Sequence, residues 1–383
     1  VAVGKDAGTN VTTGINNTAV GAHALAAVTT GVYNTALGTK SLLTNTGTRN
    51  TALGSHALKA NTTGSYNTAS GQYSMVANTT GEQNTASGRY ALKSNTTGNQ
   101  NTSVGIYALN NNTTASYNTA VGSCALFANT TGQFSTAVGF CALKSNTTGT
   151  NAGIGAYALT NNTTGNHNTA LGIQTLNQNT TGNANTASGR YALYTNTTGC
   201  HNTATGYSAL LCNTTGCYNT ASGMQSMYYS TTANYNTAIG ATSLHLNTTG
   251  SYNTAVGSCT LYANTTGAEN DAFGYQALKS NTCGNYNAAF GNIALRDNTT
   301  GIKNAAYSYG TLFQNTTGSL NTALGHQALR SNTTASYNTA VGGCALYANT
   351  TGYRNTASGY AALGANTTGC LNTATGYLAL RAN

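Results

Sequence analysis

The chain has 383 residues, of which only 5% are charged; fourteen Lys and Arg against five Asp and Glu give a net charge of +9, and proline and tryptophan do not occur. Charge this sparse excludes a nucleic-acid interface, which needs dense basic residues interleaved with aromatics. No run of eighteen apolar residues, no heptad pattern and no signal peptide is visible, so no membrane segment is predicted in this chain.

A polar composition of this kind suits a disordered tract, but the sequence repeats every seventeen residues and keeps one leucine in phase throughout. Val1 to Gly4 match Thr18 to Gly21, so the chain opens in mid-repeat. The first whole unit starts at Val11, and the start recurs at Val28, Asn45, Asn61, Asn78 and onward to Asn366, making twenty-two units. Those starting at Asn45 and Asn146 are one residue short, and Asn383 reads as the first residue of a further unit. Residues 1–383 are therefore expected to be a single continuous repeat array, a segment of a longer chain. Units this small cannot each bury a hydrophobic face, so neighbours must supply one another's core.

With columns numbered from the first Asn of the unit, columns one to four read Asn-Thr-Thr-Gly, which is turn chemistry: Asn tolerates left-handed backbone and Gly takes positive φ. Seventeen of these turns are formal N-glycosylation sequons, at Asn61, Asn78, Asn95, Asn112, Asn129, Asn146, Asn162, Asn179, Asn196, Asn213, Asn247, Asn264, Asn298, Asn315, Asn332, Asn349 and Asn366. Two readings stay open: Asn and Thr serve the turn itself, or an exposed turn carries covalent glycans on Asn or Thr. Column six is often Tyr, at Tyr33, Tyr66, Tyr117, Tyr218, Tyr235, Tyr252, Tyr286 and Tyr337, and reads as a surface stripe.

A first strand is predicted over columns seven to eleven, as in Asn67 to Gly71 or NTAVG at 118–122, and a second over columns thirteen to sixteen, as in CALF at 124–127. Column fifteen is Leu in twenty units and Met in two, so it is the core position. Ala at columns nine and fourteen and Gly at column eleven crowd beside it, where backbone must approach backbone. Asn at column seven, replaced only by Ser135, and Asn at column one, replaced at Val11, Val28 and Ser230, are expected to form amide ladders along the stack. Column ten is partly apolar and points away from column nine, which calls for a cover such as a second copy of the chain. Lys59, Lys93, Lys144, Lys279, Arg296, Arg330 and Arg381 share column sixteen and form a broken basic line, either a solvated edge or a contact for an anionic polysaccharide or cell surface.

Glycines at columns four and eleven leave no stretch long enough to nucleate a helix. The expected fold is all-β: a parallel β-solenoid, or β-roll, of about 22 coils. Its rungs would be about 4.8 Å apart, giving an array roughly 110 Å long.

Chemistry-bearing residues are few. Of the five acids only Glu269 and Asp271 are close, and they make an improbable catalytic pair. His23 and His56 share column thirteen, His167 and His201 share column six, and neither pair has acidic or thiolate neighbours of metal-ligand spacing. No catalytic, metal or cofactor residue is assigned, and no cofactor beyond covalent glycans. Cys124 and Cys141 at column thirteen, and Cys200 and Cys217 at column five, fall one rung apart and are candidate disulfides; a buried free thiol is the alternative for each.

At NTAVG, NTALG and NTASG the sequence resembles the head repeats of YadA-type trimeric autotransporter adhesins, and it is similar to NTALG-rich repeats of bacterial and phage fibre proteins. The resemblance implies a left-handed β-roll, three chains side by side or an end-to-end filament, an extracellular or cell-surface location, and adhesion. Three function classes remain: a non-catalytic fibre or adhesin shaft, an ice-binding solenoid using aligned Thr rows, and a carbohydrate-binding fibre using the Tyr stripe.

Overall fold

The computed structural model describes residues 1–382, none of them helical; Asn383, read above as the start of a further unit, lies outside the described residues. The chain divides into two compact units, Val1–Arg190 and Tyr191–Asn383. Each is a parallel β-solenoid that completes one coil per repeat. The first contains twelve strands, from Ala2–Val3 to Thr186–Ser188, and the second eleven, from Thr203–Thr205 to Thr373–Thr375.

Pairing is in register. Thr119, Ala120 and Val121 face Thr136, Ala137 and Val138 in the first unit, and Thr237, Ala238 and Ile239 face Thr254, Ala255 and Val256 in the second. The two short repeats keep the same register: Thr51 pairs with both Thr35 and Thr68, and Gly153 with Ala137 and Ala170. A one-residue slip would turn every inward alanine outward. The missing residue is therefore taken from the loop, one Thr of the turn at Asn45 and the column-six residue before Asn151.

Only columns eight to ten form a strand, so the first predicted strand shortens to three residues and the second does not form. The reason lies in what the core demands. Ala125 and Leu126 are adjacent in the chain and both fully buried, whereas an extended strand sends successive side chains to opposite faces. The backbone turns them both inward by placing Cys124 at φ 58° and Leu126 at φ 50°. The same left-handed pair recurs coil after coil, as at Tyr73 and Met75 or Gln276 and Leu278. Column six is left-handed as well, with Tyr66 at φ 60°.

The turn glycines also differ from expectation. At column four they are not in the positive-φ region; what excludes a larger side chain is space. A Cβ on Gly81 would lie 2.5 Å from both Asn78 Oδ1 and the Gly98 carbonyl of the next coil, and nothing larger than the methyl of Ala115, Ala233 or Ala335 occupies the column. Column eleven has both constraints: Gly88 sits at φ 133°, and a Cβ there would lie 2.6 Å from the Gly105 carbonyl. Ser308 holds this place in one coil, at φ 129°.

Inside each coil the leucine packs with alanine and two asparagines. Asn95 Nδ2 donates to Asn78 Oδ1 at 2.7 Å and to the Gly98 carbonyl at 2.9 Å, which uses both of its hydrogens. At column seven the Asn84 backbone N–H donates to Asn67 Oδ1 at 3.0 Å, and Asn84 Nδ2 donates to the Gly98 carbonyl at 2.8 Å. Both predicted ladders are present, and both are interior. The leucines from Leu25 to Leu363 are buried, and Leu380 is 53% exposed.

The two serine interruptions behave differently. Ser135 Oγ donates to the Gly149 carbonyl at 3.0 Å and accepts the Asn151 N–H at 3.2 Å, so it carries the column-seven ladder through. Ser230 is too short for column one: Ser230 Oγ and Asn213 Oδ1 are the buried side-chain polar atoms left without a partner among the described residues. An unsatisfied buried acceptor costs about 1–3 kcal/mol, so Ser230→Asn is expected to raise the melting temperature. Ser308→Gly, which relieves a backbone conformation costing of the order of 1–3 kcal/mol, should do the same. Thermal unfolding followed by circular dichroism checks both, and a lowered melting temperature for Ser230→Asn would contradict the ladder geometry.

Candidate functional site

With the amides turned inward, the outer surface consists of parallel rows, one per outward column. The sequon asparagines are not on it. Every one from Asn61 to Asn366 is at most 1% exposed, because its amide belongs to the column-one ladder rather than to an exposed turn. Of the motif Asn95-Thr96-Thr97, Thr96 Oγ1 donates to the Thr113 carbonyl at 3.1 Å, and only Thr97 is exposed. At Asn95 the side chain is buried and both Nδ2 hydrogens are donated, so the folded coil leaves that amide no place for a glycan. Produced through a glycosylating secretory pathway, the soluble folded protein should carry no glycan on Asn95; peptide mapping by mass spectrometry checks this.

Column six carries a row of exposed rings held by left-handed backbone. In the second unit His201, Tyr218, Tyr235 and Tyr252 stack with centroids 4.9, 4.9 and 5.1 Å apart and nearly parallel planes. Column thirteen has its own stack in the first unit, His56, Tyr73, Tyr90 and Tyr107, at 4.8 to 5.5 Å. Stacking along the row occupies ring faces and presents ring edges and hydroxyls outward. A sugar packing flat against a ring needs the face, so the interior of such a stack offers hydrogen bonds rather than a platform.

Cations interleave with these rings. Arg49 lies between Tyr33 and Tyr66, 5.7 and 5.3 Å from their centroids. The basic line of column sixteen is only partly a solvated edge: Lys93 and Lys144 are exposed, but Arg296 sits 4.0 Å over Phe313 and is held by Asp297 at 2.8 Å. Arg330 follows at 5.4 Å from Phe313 and 5.7 Å from Tyr347. The aromatics alternating with cations in that column were the available sequence signal.

Glu269 and Asp271 come to the same side, since columns six and eight both face outward, and line an open groove with Tyr252 and Tyr286. Two tyrosine faces with carboxylates between them form the counterpart of the place Arg49 fills, chemistry suited to a cation. Both carboxylates are exposed. Among the described residues no three His, Cys, Asp or Glu side chains come together as a metal cluster. His23 faces Asp6 at 3.5 Å, His167 lines a groove with Phe134, and His201 ends the ring stack described above.

His56 stacks on Tyr73 and shares a hydrogen bond of 2.8 Å with Ser55 Oγ. Desolvation, followed by the charges of Lys59 and Lys40, holds its pKa below the ordinary 6.5. Because the folded value is the lower one, protonation favours the unfolded chain: stability is full above the unfolded pKa and falls as pH drops through the folded one. An NMR titration should find the His56 midpoint below 6.5, and His56→Gln should flatten the acid-side decline.

No disulfide joins Cys124 to Cys141 or Cys200 to Cys217 in the structure. Cys141 is 6% exposed, and burial, then the neighbouring Cys124, pushes its thiol up. Cys200 and Cys217 are half-buried with their sulfurs 3.2 Å apart. This pair belongs to a side-chain ladder that sequence reading missed. Each column-five acceptor curls back to the coil before it, as when the Thr48 N–H donates to Ser65 Oγ at 3.1 Å or the Asn166 N–H to Asn183 Oδ1 at 2.7 Å. The signal was a column of varied residues, Ser, Asn and Cys, that share an acceptor atom.

Comparison with known proteins finds no matching family model and no matching curated protein.

Proposed function

We propose that this chain is a structural spacer: a segment of an extracellular fibre or adhesin shaft whose work is done by the number of stacked coils. The observation that carries this reading is the persistence of one set of inter-coil bonds and one register through both shortened repeats, so that a coil is an interchangeable length element. The likeness of NTAVG, NTALG and NTASG to adhesin head and fibre repeats supports the surface location. The column-ten row supports association with further copies, since Leu171 and Leu324 are each 50% exposed in a column that holds no charged residue. Recognition of a surface or polysaccharide would then fall to the basic and aromatic rows. Ice binding is the weaker reading: the outward Thr row of column eight is broken by Ala152, Asp271, Ala288 and Ala305.

The test is to change the number of coils. Deleting residues 95–145, three whole repeats, joins Ser94 to Asn146 with the column order intact. The shortened protein should keep its β spectrum per residue, and its maximum dimension by small-angle scattering should fall by about 14 Å at 4.8 Å per rung. A folded deletion protein of unchanged maximum dimension would overturn the spacer reading.

A further inference from the structure

We propose that Cys200 and Cys217 are a redox site: a small-molecule disulfide of the glutathione type oxidises them to a cystine that clamps two adjacent coils together. The geometry is dictated by the column they share. A column-five side chain turns toward the N–H of the coil before it, and Cys217 does so: the Cys200 N–H donates to Cys217 Sγ at 3.1 Å. The Cys217 N–H is in turn fixed by Asn234 Oδ1 at 2.8 Å. When the preceding coil also has cysteine at column five, its sulfur is met head-on, and the two Sγ atoms lie 3.2 Å apart. A rung of about 4.8 Å falls inside the Cα separation of roughly 4.4–6.8 Å that a disulfide spans. Side-chain rotation alone then brings the sulfurs together.

The chemistry balances as thiol–disulfide exchange. One thiolate of the pair attacks a sulfur of the small disulfide, expelling one small thiolate, which takes up the proton lost from the protein. The second thiolate attacks the protein sulfur of that mixed disulfide, forming the Cys200–Cys217 bond and expelling the second small thiolate, which takes the second proton. The protein loses two hydrogens and the oxidant gains them. Both sulfurs are half-buried and within reach of solvent, whereas in the column-thirteen pair Cys141 is almost wholly covered. Of the two candidate pairs, the geometry points to the column-five pair as the one that reacts.

The experiment exposes the folded full chain to oxidised glutathione, quenches with an alkylating reagent and maps peptides without reduction. Mapping is needed because exposed Cys283 has no partner cysteine one rung away and would keep a mixed disulfide of its own. The expected result is a Cys200–Cys217 cross-link formed before any Cys124–Cys141 link, with a higher melting temperature that reductant reverses. Cys200→Ser should leave glutathione stably attached at Cys217; serine is the native column-five residue at Ser65 and Ser251, so the variant is expected to fold. Glutathione persisting on Cys200 or Cys217 of the unsubstituted chain, earlier linkage of Cys124 to Cys141, or no reaction at either column-five cysteine would each overturn the proposal. None of these outcomes bears on the spacer reading, which the coil deletion tests separately.

Discussion

Each coil within either unit is held chiefly by bonds to the coils on either side of it, with only a few bonds inside itself. The Leu126 N–H reaches forward to the Ala142 carbonyl, while the Cys124 N–H reaches back to the Ile106 carbonyl, each at 3.0 Å. The buried asparagines obey the same rule. An amide taken out of water is costly unless its donors and acceptor are all met, and a seventeen-residue coil has no room to meet them internally. The column-one amide finds one partner in the preceding coil and one in its own turn, and offers its oxygen to the coil that follows. The interior is therefore a lattice property, and a single coil taken alone would have neither a core nor satisfied amides.

That lattice explains why the chain tolerates strain in every repeat. A leucine in left-handed backbone costs about 1–2 kcal/mol on steric grounds, and tyrosines and cysteines at columns six and thirteen carry the same penalty. Two gains offset it. The reversal of φ brings columns fourteen and fifteen inward together, which fills the thin core with two residues where a strand would supply one. It also aims the column-thirteen N–H back to the preceding coil and the column-fifteen N–H forward to the next, so that loops as well as strands bond to both neighbours. The strands themselves are only three residues long, and most of the inter-coil bonding lies outside them.

The solenoid, the leucine core and both amide ladders were legible in the sequence because each is written once per repeat, and a stacked period converts a column directly into a row. What was not legible depended on local backbone. The run Cys124-Ala125-Leu126-Phe127 has the residues of a strand, and no propensity scale places Leu126 in the left-handed region. The exposure of Asn95 was misjudged for a related reason: a sequon in a turn reads as surface, but this turn folds its asparagine inward and leaves only its last threonine outside. Ser135 and Ser230 looked like equivalent interruptions until geometry distinguished them, since a hydroxyl spans the column-seven gap and not the column-one gap.

The separation of inward from outward columns also constrains what a surface on this scaffold can do. Inward places accept almost no change: column four admits nothing beyond a methyl, column fifteen only Leu or Met, column one almost only Asn. Outward places vary without disturbing the stack, as the succession Tyr252, Glu269, Tyr286, Lys303 along column six illustrates. Whatever is recognised must then be read from rows in which neighbouring side chains stand one rung apart. Within a stack the rings cover one another's faces, so a partner meets hydroxyls, ring edges and cations seated on rings. Such contacts are individually weak, and they gain strength only when a partner spans many rungs with a matching repeat. A partner of that kind would itself be extended and periodic, and each added coil would give it one more place to bind.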